Sequence, residues 1–195
     1  MSATCQHLSL SLINPTTIYR KEDDFLALDT DILCLAETAA TKTVQMAFNQ
    51  ALRPTPYQVF WSAPVPDKVA KVDPAFGHSL RGDNLGTAIM TRLSSRDTRH
   101  TFPSSTWDTC RLNSVIISTG ILDFLVVSAY FQTGKSAEAR IVNNQLLHDI
   151  WLHVTTTTLP FIVAGDFNTD VRKLDAFSLF PVSYTHLTLP TKLEV

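Results

Sequence analysis

The stretch Asp31-Ile-Leu-Cys-Leu-Ala-Glu-Thr38 decides how the chain folds. Ile32 to Ala36 is an unbroken apolar run of strand length, the pattern of a strand covered on both faces. Glu37 stands directly after it. Phe161-Ile-Val-Ala-Gly-Asp166 repeats the arrangement, an apolar run delivering a carboxylate, and Leu122 to Tyr130 delivers a phenol. His7 to Ile13 alternates with period two and gives way to Asn14-Pro15, where the proline stops the ladder. Each of Asn14, Glu37, Tyr130 and Asp166 alone reads as a cap or turn residue. Four together, in unlike contexts, point to a site, because ligands of layered α/β proteins gather where strands end.

Working outward, helices are expected at Arg20 to Leu28, Thr43 to Leu52 and Ser136 to Val154. The last carries an apolar stripe at Ala139, Val142, Leu146, Ile150 and Val154. Further strands are expected at Tyr57 to Ser62, Gly86 to Thr91 and Leu112 to Ser118, with Gly120 turning the hairpin into Leu122 to Tyr130. Ala63 to Leu85, with three prolines, reads as a long irregular segment of functional type.

Composition narrows the class. The 195 residues carry 16 basic and 18 acidic side chains, a net charge of −2, with 45% hydrophobic residues. That is globular, too apolar for disorder, and without the positive field of a general nucleic-acid coat. Cys5, Cys34 and Cys110 are odd in number and lack any CxxC, which argues against a disulfide framework or structural zinc. The longest apolar stretch, Ile121 to Phe131, falls short of the ~20 residues that cross a bilayer. No signal peptide is evident after Met1. The expectation is an intracellular protein with no membrane contact and no inferable protein partner.

The words now carry a resemblance. Asp31-Ile-Leu-Cys-Leu-Ala-Glu-Thr38 resembles the "DIxxLQET" segment of the endonuclease/exonuclease/phosphatase superfamily, and Gly165-Asp-Phe-Asn168 resembles its "GDFN" segment. Gly86-Thr-Ala-Ile89 is similar to its "GxAI" strand, and Ser128-Ala-Tyr130 to its tyrosine-bearing strand, all in family order. The resemblance implies a DNase I-like, two-sheet α/β sandwich flanked by helices, and Mg²⁺-dependent (or Mn²⁺-dependent) hydrolysis of phosphate esters. It implies Glu37 as the metal ligand with Asn14 beside it, and Tyr130 as a hydrogen-bond donor to phosphate. It implies Asp166 as the group that orients or deprotonates the attacking water, and Asn168 as a residue fixing the phosphate or the catalytic partner. Ala36 stands where the family has Gln. Phe131-Gln132-Thr133 replaces a loop that often carries Asn, and Gln132 is the candidate to fill that role. The wording looks more like DNA-cleaving members, including the endonuclease domains of non-LTR retrotransposons, than like phosphoinositide phosphatases; DNA is the expected partner.

Other readings compete. Ala129 to Ser136, ending Gly134-Lys135-Ser136, fits a relaxed phosphate loop between a strand and a helix, the context of a P-loop NTPase. Tyr130 and Phe131 are too bulky for a loop whose N–H groups wrap a phosphate. A phosphatase or a non-catalytic remnant of the superfamily is a further alternative. Arg92, Arg96, Arg99 and Arg111, interleaved with Asp97 and Asp108, read either as a track for a nucleic-acid backbone or as a solvated mixed-charge surface. Trp61 and Trp107 read as packing residues. Arg81-Gly82-Asp83 reads as chance, and Cys34 as a small core hydrophobe rather than a nucleophile.

The last residues fit none of this. Val182 to Thr191 resembles the in-frame translation of a transposase-end sequencing adapter. Residues 1–180 are therefore expected to form a partial domain with an incomplete second sheet, and 181–195 a foreign tail. The family's C-terminal Asp-His pair has no counterpart, since His186 stands among non-matching neighbours. Negligible hydrolysis by the chain as written is the resulting expectation.

Overall fold

A computed structural model describes residues 7–65, 85–98 and 110–180. Arg81-Gly82-Asp83, Arg99, Trp107, Asp108, His186 and the adapter-like tail lie outside the described residues. The strands are β1 Leu10–Ile13, β2 Ile32–Ala36, β3 Gln58–Trp61, β4 Thr87–Thr91, β5 Ser94–Asp97, β6 Leu112–Ser118, β7 Asp123–Tyr130 and β8 Phe161–Asp166. The helices are α1 Glu22–Leu26, α2 Lys42–Leu52 and α3 Ala137–Thr155.

Among the described residues the strands form two four-stranded sheets, ordered β1-β2-β4-β3 and β5-β6-β7-β8. Both are mixed: β1 runs parallel to β2 and β7 parallel to β8, while the other pairs are antiparallel. The two sheets face each other through Ile32, Cys34 and Ile89 on one side and Val115, Ile117, Phe124 and Val126 on the other. The alternate residues Leu33, Leu35, Ala88 and Met90 pack outward against Phe25, Phe48 and Leu52 of α1 and α2. Leu125, Val127 and Ala129 pack outward against Leu146, Ile150 and Val154 of α3. β2 and β7 thus lie between an opposing sheet and a helix layer, which is why Ile32 to Ala36 and Phe124 to Val127 are continuously apolar. This is the expected helix-flanked α/β sandwich.

Local chemistry sets the boundaries. The Thr41 hydroxyl accepts from Val44 N and starts α2, and the Ser136 hydroxyl accepts from Ala139 N at 3.2 Å and starts α3. Gly120, at φ +79°, turns the β6–β7 hairpin as expected. Cys34 is fully buried between the sheets and burial pushes its thiol up to about 12, in keeping with a core role.

Two elements differ from the sequence reading. β5, Ser94-Ser-Arg-Asp97, is a strand that no apolar pattern announces, because it is a polar edge held by backbone pairing to β6. β8, read as a buried strand, is only half-buried, with Ile162 exposed, because β7 is its one strand neighbour among the described residues. No helix among the described residues is long and apolar enough to cross a membrane.

Candidate functional site at the strand ends

The parallel pairs decide where the polar residues go. β1 and β2 point the same way, so Asn14 and Glu37 emerge at one end of the first sheet. β7 and β8 also share a direction, with Tyr130 paired to Asp166 as their last residues. Two hydrogen bonds between the sheets bring these ends together. The Tyr130 hydroxyl donates to Glu37 Oε1 at 2.5 Å, and Asn14 Nδ2 donates to Asp166 Oδ2 at 2.8 Å. Four residues spread over 152 positions of sequence therefore meet at one end of the sandwich.

The surrounding backbone is bent to present them. Glu37 has φ +55° and Asn168 φ +48°, a region that non-glycine residues enter at a cost. Glu37 is held there because Thr38 N and Ala39 N donate to Gly86 O and Leu85 O, at 3.0 and 2.8 Å. Gly86 itself has φ +107°, and a side chain on it would run into the Thr38 hydroxyl. Gly165 has a different reason to be glycine. A Cβ there would lie 2.8 Å from the Ala129 carbonyl carbon, so only a bare Cα lets β7 approach β8 beside Asp166.

Asp166 accepts twice, from Asn14 and, through Oδ1, from Asn168 N at 3.2 Å. Asn168 in turn donates from Nδ2 to Phe131 O at 2.9 Å, while Phe131 N donates to Asp166 O at 2.8 Å. The residues read from sequence are thus mutually bonded. Tyr130 is 2% exposed and its hydroxyl is engaged by Glu37 rather than pointing into open solvent.

The arginines separate. Arg92 bonds Asp29 and Asp31 at the opposite end of the first sheet, since β4 runs antiparallel to β2 and ends beside Asp31. Arg96 projects from edge strand β5 and is exposed. Arg111 is neither solvated nor on a surface track. It is 5% exposed, its guanidinium 5.2 Å from the centre of the Tyr130 ring, with bonds of 3.4 Å to Tyr130 O and Gln132 Oε1. Trp61 packs edge-on against Phe48 in the core, as expected. Asn143, which the sequence reading passed over beside the α3 stripe, is 2% exposed. Its Oδ1 accepts from Gln132 N at 2.7 Å and its Nδ2 donates to Gln132 O at 3.0 Å. Followed by Asn144 and Gln145 and lying beside the stripe, Asn143 carries no sequence signal that sets it apart.

The phosphate-loop reading loses its physical basis here. Tyr130 and Phe131 are buried and the Ser136 hydroxyl caps α3, so the segment is not a glycine-like cradle of free N–H groups.

The donor set bears on whether a divalent cation fits here. Glu37 is half-buried, and one of its oxygens has no hydrogen-bond partner among the described residues. The Asn14 and Asp166 oxygens lie at the same end of the sandwich, where they accept from Thr16 N, Asn14 Nδ2 and Asn168 N. Among the described residues no group of three or more His, Cys, Asp or Glu assembles a closed cage. One or two carboxylates with neutral oxygen donors, open to solvent, suit a hydrated Mg²⁺ or Mn²⁺ and not a closed zinc site.

Two face-to-face mixed sheets flanked by helices, with strand-end carboxylates joined across them, define a DNase I-like α/β sandwich. The chain belongs to the Endonuclease/Exonuclease/phosphatase family, whose sequence profile matches residues 16–185. That family is made of hydrolytic nucleases and phosphoesterases. Similar solved structures include an AP endonuclease from Archaeoglobus fulgidus, with 18% identity, a TM-score of 0.58, and cover of 84% of this chain and 58% of that one. The 3'-5' exonuclease NExo from Neisseria meningitidis has 17% identity and a TM-score of 0.58, with cover of 83% and 58%. The endonuclease domain of TRAS1, a telomere-specific non-LTR retrotransposon, has 16% identity and a TM-score of 0.51, with cover of 84% and 60%. The chain therefore spans about three-fifths of the length of these structures. No curated protein matches it.

Proposed function

We propose that this chain carries the metal- and phosphate-binding part of a divalent-cation-dependent phosphodiester hydrolase acting on nucleic acid, most specifically DNA. The observation that carries the reading is the pair of bonds between the sheets, Tyr130 to Glu37 and Asn14 to Asp166, which gathers two carboxylates with neutral polar partners. Two carboxylates alone repel an anionic ester. A bound Mg²⁺ or Mn²⁺ would supply the missing positive charge as water attacks in line. Glu37 would hold the ion, with Asn14 beside it. Asp166, held by Asn14 and by Asn168 N, would orient or deprotonate the attacking water, and Asn168 would fix the phosphate or the catalytic partner. The one proton of the Tyr130 hydroxyl goes to Glu37 in this structure, so Tyr130 would donate to a phosphate oxygen once Glu37 turns to the cation.

Turnover by the chain as written is proposed to be negligible. Among the described residues the histidines are His7, before β1, and His148 and His153 on α3, and these stand away from the strand ends where a proton would be relayed. We read residues 181–195 as foreign to the domain on the adapter-like wording of Val182 to Thr191, a reading at odds with a family profile that runs on to residue 185. The finer reading is a DNA endonuclease of retrotransposon kind, which the "CLAET" and "GDFN" wording supports.

The test is binding of a fluorescein-labelled DNA duplex, followed by anisotropy with and without Mn²⁺. Cation-dependent binding that Glu37→Gln abolishes is the expected result. Binding that ignores both the cation and Glu37 would sink the assignment. Vigorous Mg²⁺-dependent nicking of plasmid, lost in Glu37→Ala, would uphold the class and overturn the proposed inactivity.

A further inference from the structure

We propose that Arg111 is a positioning residue that fixes the Gln132 side chain so that its amide nitrogen is offered to a phosphodiester oxygen. The inference rests on the phosphodiester reading above. Arg111 comes just before β6 and is buried, although a guanidinium left in a protein interior must be compensated by acceptors. Its position is shaped on two sides. The guanidinium packs over the Tyr130 ring at 5.2 Å, and its N–H groups reach Tyr130 O and Gln132 Oε1. Tyr130 N also donates to Arg111 O at 2.9 Å, tying the two backbones together.

The consequence falls on Gln132. A guanidinium has donors and no acceptor, so only the amide oxygen of Gln132 can face it. The Nε2 end is thereby turned away, and it has no partner among the described residues. The backbone of the same residue cannot drift, because the buried Asn143 clamps both its N–H and its C=O. The segment also sits against the site. Its neighbour Phe131 donates to Asp166 O and accepts from Asn168 Nδ2. A half-buried amide with a locked backbone, a fixed orientation and an unused N–H₂ is a preorganised neutral donor.

Three variants of the full chain separate this from a merely structural role. Gln132→Glu leaves Arg111 a better partner, so melting stays at or above wild type. It also replaces the donor by an acceptor, so Mn²⁺-dependent affinity for the fluorescein-labelled duplex falls about tenfold or more. Arg111→Lys keeps the charge but not the fork, and lowers affinity severalfold. Arg111→Lys combined with Gln132→Glu falls no further than Gln132→Glu alone, because both act through one amide. Wild-type affinity in a folded Gln132→Glu variant overturns the proposal while leaving the Glu37 assignment standing. Wild-type affinity in a folded Arg111→Lys variant reduces Arg111 to a bare charge and overturns it equally. Loss of cation-dependent binding in wild type itself would remove the site reading and this inference with it.

Discussion

The Tyr130 hydroxyl donates to Glu37 Oε1 across 93 residues of sequence, joining the C-terminal end of β7 to that of β2. With the bond from Asn14 to Asp166, this contact ties the two sheets together at the end where the polar residues meet. Tyr130→Phe keeps the buried ring and removes only this donor. It is expected to cost about 1 kcal/mol, since a hydrogen bond to a half-exposed carboxylate is partly replaced by water. Thermal melting should fall by about 2–4 °C. No change would mean that the bond does not contribute to holding the sheets.

Asn14→Asp places a second carboxylate 2.8 Å from Asp166, where the amide now donates. Like charges at that distance are expected to lower stability at neutral pH by an amount on the order of 1 kcal/mol. Mn²⁺ should recover more stability in this variant than in wild type, because the added charge is opposite in sign to the ion. Melting curves with and without Mn²⁺ give both numbers. A variant indifferent to the ion would place the metal elsewhere.

Gly165→Ala drives a methyl into the Ala129 backbone, which is held in the β7–β8 ladder and cannot step aside. The expected outcome is a loss of several kcal/mol, seen as aggregation or failure to melt cooperatively. A soluble variant with wild-type melting would show that the strands can separate at this point.

His153, buried on α3, is pushed down to about 4 by burial, against 6.5 in an unfolded chain. Its neutral form is the one that suits the fold. Between pH 6.5 and 4 the unfolded state binds more protons, so stability rises with pH and is lost as pH falls through this window. The loss attributable to His153 is at most about 3 kcal/mol. Urea unfolding of wild type and His153→Phe across pH 4–7 should show the slope shrinking in the variant. Parallel curves would assign the acid sensitivity to other groups.

The sandwich was legible because its central strands are covered on both faces. Ile32 to Ala36 and Phe124 to Val127 carry that burial as unbroken apolar runs, and Glu37 and Tyr130 beyond them mark the site. β5 was not legible, since Ser94 to Asp97 pairs through its backbone and its side chains have no apolar rhythm to show it. Arg111 was misread for a related reason. A charge in sequence looks like surface, and only the Tyr130 ring beneath it and the Gln132 oxygen beside it show why burial is tolerated. Asn143 was hidden among the polar residues Asn144 and Gln145, which in sequence read as the solvent side of the helix.

The central claim is that Glu37, with Asn14 beside it, holds a divalent cation at the strand ends where Tyr130 and Asp166 meet them. Mn²⁺ titration followed by electron paramagnetic resonance tests it most directly, on wild type and on Glu37→Gln, which keeps the size of the side chain and removes its charge. The account predicts one ion bound by wild type and an affinity lowered at least tenfold in the variant, with melting in the absence of metal little changed. Equal Mn²⁺ binding by the two folded proteins would contradict it.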